Sequence, residues 1–250
     1  MHPILFYGVP ECCSFGSIVA LEWSGLPYQL CRIEMPTVVS SEAYRRINPV
    51  AETPSLRTAD GRQVNQSMAI LHHIGAQSTG SGLVPAQGTP EFDFFNEVLA
   101  FLNTDFFESF SPLWYAMEHG LANEEQRVVT TMGHHKVRKV HADLEQMLGS
   151  NPCLAGSRRT AADAYFMGIA RWNDFHQVLD RREFPALAAL HARLELDPAV
   201  RFAHAVERGE FAQSTGAFGG HVDLDDLLLR LQAEAPANST ASEAFSRHVG

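Results

Sequence analysis

The sequence predicts an α/β first domain followed by an all-helical second one. Three observations carry this. Up to about residue 78, short apolar runs bounded by turn residues alternate with stretches of helical spacing. Residues 78–90, STGSGLVPAQGTP, have the Gly, Ser and Pro content of a linker. From Glu91 onward the apolar residues keep a helical period. The organisation is therefore a domain at 1–78, a linker at 79–90, a helical domain at 91–212 and a tail at 213–250.

Within the first domain, Ile4-Leu5-Phe6-Tyr7 reads as a buried strand and Gly8-Val9-Pro10 as the turn after it. Ile18, Val19, Leu21 and Trp23 mark a helix that Gly25 closes. Cys12, Cys13 and Ser14 fall at or just before its N-terminus, where the dipole and free N–H groups favour a thiolate. A serine hydroxyl there could instead donate to a bound thiolate. A plainer reading makes the cysteines small buried hydrophobes and Ser14 a cap. Tyr28-Gln29-Leu30-Cys31-Arg32-Ile33 reads as a second strand, and 41–47 as a weak helix that Asn48-Pro49 ends. Thr53-Pro54-Ser55-Leu56 and Gln63-Val64 form a hairpin around the tight turn at Asp60-Gly61. Pro54 is confined to its edge or entry because it has no N–H to donate. Ser67 caps a following helix through Met68, Ile70, Leu71 and Ile74.

That arrangement has a chemical consequence. Gln66 and Ser67 sit where a helix presents unpaired N–H groups and its positive end, a seat for a carboxylate. An edge proline leaves the neighbouring Thr53 backbone open to pairing with an extended ligand. A small peptide with an anionic end suits both features. A plain βα connection with no ligand is the alternative.

In the helical domain, Phe92, Phe95, Val98, Leu99, Leu102 and Phe106 share one face, which Phe94 and Phe101 widen. Pro112 should bend or interrupt this helix. Asn123-Glu124-Glu125 opens another, with acids in its first turn, and Gly149 stops it. Thr160 and Asp163 make a capping-box variant ahead of the apolar run 164–172, the expected buried centre of the domain. Two short helices, 185–194 and 198–208, close it. The tail begins glycine-rich at 214–220, forms an amphipathic helix around Leu224, Leu227 and Leu231, and turns small and polar from Ala235. It is expected either to pack on its own domain or to lie over a ligand cleft or a partner subunit.

These residues together resemble the cytosolic glutathione transferases, nearest the bacterial beta class. The resemblance rests on Tyr7, Cys13-Ser14, Ala20-Leu21, Gly25-Leu26-Pro27, Asn48-Pro49, Thr53-Pro54-Ser55-Leu56, Asp60-Gly61, Gln66-Ser67, Ala69-Ile70-Leu71 and residues 160–165, and runs to about Phe211. It implies a thioredoxin-like first domain, a helical second domain and a cytoplasmic, detoxifying homodimer that takes glutathione as co-substrate. By the same resemblance Pro54 is a cis-proline and Thr53 pairs its backbone with the cysteinyl unit of glutathione. Gln66 and Ser67 hold the γ-glutamyl carboxylate, and Cys13 and Ser14 face the sulfur. Asp105 of a partner subunit could meet the γ-glutamyl amine.

Composition agrees with a protein of this kind. The chain has 250 residues, 45% hydrophobic and 19% charged, enough for two modest cores. A formal charge of −10 disfavours nucleic acid and anionic membrane as partners. No stretch is apolar for long enough to be a signal peptide or a membrane span. Four cysteines, two of them adjacent, do not make a disulfide framework and fit a reducing cytoplasm. The histidine clusters at His72-His73 and His134-His135 lack the spacing of a metal site, so no metal is expected.

Two departures from the family pattern bear on the site. Setting Phe110-Ser111-Pro112-Leu113 in the family's register puts Phe107 where beta-class relatives carry a histidine, and Ala100 where they carry an asparagine. Between Arg32 and Arg45 there is no basic residue for the glycyl carboxylate. The pocket for a hydrophobic electrophile would draw on Phe106, Phe107, Phe110, Trp114 and Tyr115. Conjugation requires glutathione as a thiolate, and each unit of pKa depression represents about 1.4 kcal/mol of thiolate stabilisation. Cys13 could alternatively form a mixed disulfide and run thiol–disulfide exchange. A third reading is a binding module that keeps the fold without catalysis.

Overall fold

A computed structural model describes residues 2–211 and 213–234. The first part of the chain forms β1 (Ile4–Val9), α1 (Ser14–Ser24), β2 (Pro27–Glu34), α2 (Glu42–Arg45), β3 (Ser55–Arg57), β4 (Gln63–Asn65) and α3 (Ser67–Gln77). Gly25 ends α1 in the left-handed region, at φ 69°, as a closing glycine should. The hairpin turns through Gly61 at φ 88°. β1 runs parallel to β2 and antiparallel to β3, so the sheet is mixed.

Helices follow: α4 (Pro90–Phe101), α5 (Ser111–Glu118), α6 (Asn123–Leu148), α7 (Ala161–Ala170), α8 (Trp172–His176), α9 (Pro185–Glu195) and α10 (Pro198–Arg208). The buried Asp163 carboxylate explains how α7 starts. It accepts the Thr160 N–H at 2.7 Å and the Leu154 N–H at 3.0 Å, while the Thr160 hydroxyl accepts the Ala162 N–H. α7 then crosses α1 at two glycines. A Cβ on Gly16 would lie 2.6 Å from the Ala164 carbonyl oxygen, and one on Gly168 would lie 2.9 Å from that of Cys13. Only hydrogen at both positions lets the two backbones approach so closely.

Two expectations about the chain's course are corrected. Pro112 does not bend a long helix; it stands in the first turn of α5, where its missing N–H costs nothing. The break comes earlier, in a π turn at Leu102–Phe106 closed by the Phe107 N–H donating to the Leu102 carbonyl at 2.9 Å. The tail takes neither expected position. It returns to the first domain as β5 (Ala217–His221), parallel to β2, giving the order β4-β3-β1-β2-β5 among the described residues. α11 (Leu224–Glu234) then packs across the sheet face that α2 leaves open. The polar stretch from Ala235 lies outside the described residues.

The sheet is thus buried on both sides, which is why every residue of β1 is buried. Leu5, Tyr7 and Val9 join the large core shared with α1, α3 and the helical domain. Ile4 and Phe6 join a smaller cluster with Tyr44, Ile47, Leu224, Leu227 and Leu228.

Candidate active site

Between the sheet's carboxyl end and the helical domain lies a cleft of about 1070 Å³. Its two walls differ in kind. One comes from the first domain and offers backbone groups and thiols. The other comes from the helices and is aromatic.

On the first wall the Thr53–Pro54 peptide bond is cis. The Thr53 carbonyl accepts only the Cys13 thiol, at 3.7 Å, and its N–H has no partner among the described residues. Next to it, α3 starts without a side-chain cap. Gln66 occupies the cap position at φ 74°, and its side chain does not fold back on the first turn. The first N–H groups of α3 are therefore free toward the cleft, and Ser67 is its first helical residue rather than its cap. The Ser67 hydroxyl lies 3.6 Å from Cys13 Sγ. Cys13, Thr53, Pro54, Gln66 and Ser67 all border this one space.

The thiol chemistry differs from the expectation of a depressed pKa at a helix start. Burial pushes the Cys13 thiol up, against smaller lowering effects from the Ser67 hydroxyl and the Arg171 charge. The first-turn N–H groups of α1 are already used, since Phe15 donates to Cys12 O and Gly16 to Cys13 O, both at 3.2 Å. Burial likewise drives Cys12 up to about 12. Both cysteines are free and partly exposed.

Ser14 stands outside the cleft. It is fully buried, accepts the Gly8 N–H at 3.1 Å and donates to the Gly8 carbonyl at 3.4 Å. Its hydroxyl is committed to holding the β1–α1 loop and has no donor left for a sulfur. Tyr7 turns away as well, into a second cavity of about 1010 Å³ beside the tail, where its hydroxyl lies 3.3 Å from His221 Nε2.

The second wall carries Phe107, Trp114, Met117, Trp172 and Phe175. Trp114 packs edge-on against Trp172 at 5.3 Å and stacks on Phe175 at 5.2 Å, while Phe107 lies 5.2 Å from Trp172. Phe110 is not among them. It is fully buried behind this wall, against Phe106 at 6.0 Å, because the turn after Phe107 rotates it into the core. Asp105 is exposed, accepts the Thr104 hydroxyl and does not border the cleft of a single chain.

Residues that the sequence did not single out complete the site. Asn103 borders the cleft and accepts the Tyr165 hydroxyl at 3.1 Å. The expected register puts Ala100 at the asparagine position; the π turn changes which residues of this segment face inward. Arg171 holds the cysteine loop from behind. It pairs with the buried Glu207 carboxylate, donates to the Cys12 carbonyl at 2.8 Å and lies 4.5 Å over the Phe15 ring. Trp172 Nε1 donates to the Glu11 carbonyl at 2.7 Å. Among the described residues no Lys or Arg borders the cleft, while Glu11, Glu52, Glu108 and Glu118 do. No group of residues with the composition of a metal site occurs among them.

Known proteins share much of this chain's sequence and fold. Residues 12–77 match the family model described as glutathione S-transferase, N-terminal domain. Over 202 residues the chain is 30% identical to glutathione S-transferase GST-4.5 of Xanthomonas campestris pv. campestris, covering 79% of this chain and 95% of that one. A sphingomonad glutathione S-transferase solved with glutathione aligns with a TM-score of 0.72 at 26% identity, covering 82% of this chain and 98% of that one. The bacterial beta-class enzyme of Sphingomonas chungbukensis aligns with the same TM-score, 0.72, at 25% identity over 82% and 98%. The mixed sheet with its helical companion is the thioredoxin-like arrangement of those structures.

Proposed function

This chain is an enzyme of the glutathione S-transferase family, and from that premise we propose that it binds glutathione as a thiolate and conjugates it to a small hydrophobic electrophile. The observation that carries the proposal is the convergence, in one cleft, of an uncapped helix start, a free Thr53 backbone and a protonated thiol.

The tripeptide lies along Thr53, pairing N–H and carbonyl with its cysteinyl unit. Its γ-glutamyl carboxylate takes the place of the missing cap on α3, on the Ser67 hydroxyl and the first N–H groups. This sets the sulfur beside Cys13 Sγ. Because burial keeps Cys13 protonated at neutral pH, its S–H serves as a donor that can turn from the Thr53 carbonyl to the bound thiolate. The thiolate then attacks the electrophilic carbon; the S–C bond forms and the leaving group departs with its electron pair. The aromatic wall holds the co-substrate and excludes water.

A second reading has its own support, since Ser14 is out of reach and Cys13 is the cleft's nearest sulfur-facing side chain. In it, Cys13 attacks a glutathione disulfide, forming Cys13–S–S–G and releasing a thiol. A second glutathione then restores Cys13 and leaves as the oxidised dimer. Cys13→Ala separates the two: conjugation retained within about tenfold supports the first, and loss of exchange with conjugation intact excludes Cys13 chemistry from it. A chain that does not bind immobilised glutathione at all would instead be a non-catalytic module. A homodimer in a reducing cytoplasm accords with the exposed Asp105 and the free cysteines.

A further inference from the structure

The tail is tied to the body at two places, and the second lies behind the peptide-binding edge. Its first tie is Glu22, a buried carboxylate near the C-terminal end of α1. Glu22 accepts the Ser214 hydroxyl at 2.6 Å, the Thr215 N–H at 2.8 Å and the Gly216 N–H at 3.0 Å. A Cβ on Gly216 would lie 3.0 Å from the Glu22 backbone, so the glycine allows this close seat. β5 then adds to the edge of β2, and the Val222 N–H closes on the Leu30 carbonyl at 2.8 Å.

The second tie is the apolar face of α11. Leu224, Leu227 and Leu228 are 8%, 3% and 8% exposed, and they pack with Val39, Tyr44 and Ile47 of the segment between β2 and β3. Tyr44 passes the contact onward: its hydroxyl donates to the Glu52 carbonyl at 2.8 Å. Asn48 Nδ2 donates to the same carbonyl at 2.8 Å. Glu52 immediately precedes Thr53-Pro54, and Met35, Pro36, Asn48 and Glu52 themselves border the cleft. This wall has little regular structure of its own, only the four-residue α2. Such a segment is held by what packs on it.

We propose that the tail, residues 214–234, is a positioning brace for the glutathione edge: α11 fixes the segment 35–52 through Tyr44 and Ile47, and so fixes the backbone of Thr53. This rests on the reading that glutathione pairs with Thr53. Loss of the brace loosens ground-state binding of the peptide and leaves the aromatic wall and Cys13 in place.

The test uses the full chain. Leu227→Ser with Leu228→Ser strips the buried face of α11, Glu22→Gln weakens the anchor, and Leu229→Ser, at a position 64% exposed on the same helix, is the control. Leu227→Met is the conservative rescue. Glutathione affinity is measured by calorimetry and backbone protection at 35–52 by hydrogen exchange without ligand. The double serine variant is expected to raise the glutathione Kd about tenfold, with faster exchange at 44–52. Glu22→Gln should move both readouts the same way by less, and the control and the rescue should match the native chain. Unchanged exchange at 44–52 in the double variant overturns the brace, whatever the native affinity. Native chain that fails to bind glutathione, while exchange still rises in the variant, overturns the peptide reading and leaves the mechanical link standing. If the double variant does not fold, Leu227→Ser alone is read by the same two measurements.

Discussion

The two walls of the cleft are made of different material. The first-domain wall presents backbone: the Thr53 N–H and carbonyl, and the open start of α3. The helical wall presents side chains: Phe107, Trp114, Trp172 and Phe175 in mutual aromatic contact. A backbone surface is fixed by the fold and changes little when side chains change, so it suits an invariant co-substrate. A side-chain surface is rewritten by single substitutions, so it suits a variable one. The lesson is a division of labour: constancy resides in the sheet and choice in the helices.

The largest effect should come from the joint on which both walls depend. Gly168→Val drives a side chain into the Cys13 carbonyl, and overpacking of this kind costs about 3 kcal/mol. Thermal unfolding should fall by roughly 6–12 °C, with glutathione binding and turnover both lost. A variant that melts normally and keeps either function would show that the walls do not share this joint.

Acid should separate the walls next. His141 is 4% exposed behind the aromatic wall, 4.8 Å from Phe106, and desolvation pulls its pKa down to about 4. An unfolded histidine takes up its proton near pH ~6.5. Between those values the unfolded chain binds more protons, so stability is full above the upper one and declines as pH falls through the window. By pH ~5 the loss from His141 alone is about 2 kcal/mol. His176, packed 4.5 Å from Trp114, is lowered in the same direction. Equilibrium unfolding at pH 7 and pH 5 checks this, and His141→Leu should flatten the difference.

Single substitutions on each wall should act on one ligand only. Trp114→Ala is expected to raise KM for a hydrophobic electrophile about tenfold and leave the glutathione Kd within about twofold. Ser67→Ala should do the reverse, weakening glutathione about fivefold and sparing the electrophile. Crossed effects in steady-state kinetics and calorimetry would dissolve the distinction.

The smallest effect concerns charge. Four glutamates and no Lys or Arg border the cleft among the described residues, so an anionic peptide enters against a repulsive field. Raising salt from about 50 to about 200 mM should tighten glutathione binding by about twofold, because screening weakens the repulsion. Weaker binding at high salt would point to a basic group acting on the ligand.

Much of this architecture is legible in local chemistry. Asp60-Gly61 marks the hairpin, Gly25 the end of α1, and Thr160 with Asp163 the start of α7, because each is a short-range signal tied to one backbone geometry. The features that escape such reading depend on distant partners. β5 has the sequence Ala-Phe-Gly-Gly-His, with no strand pattern of its own; it is extended because the β2 edge pairs with it. Ser14 looks the same in sequence whether it faces a ligand or the Gly8 backbone. The thiol pKa of Cys13 reflects how deeply the helical domain covers it, which a helix-start motif does not encode. Asn103 escapes because the π turn upsets the counting of helix faces.

That π turn also bears on how such a pocket diversifies. A loop of helix closing over five residues holds one residue more than a regular turn requires. Removing one residue from 102–106 would restore ordinary winding and swing the downstream side chains by about 100°, turning Phe107 off the cleft and bringing a neighbour round in its place. One codon lost or gained here could therefore exchange the acceptor surface in a single evolutionary event, with the sheet that receives the peptide untouched.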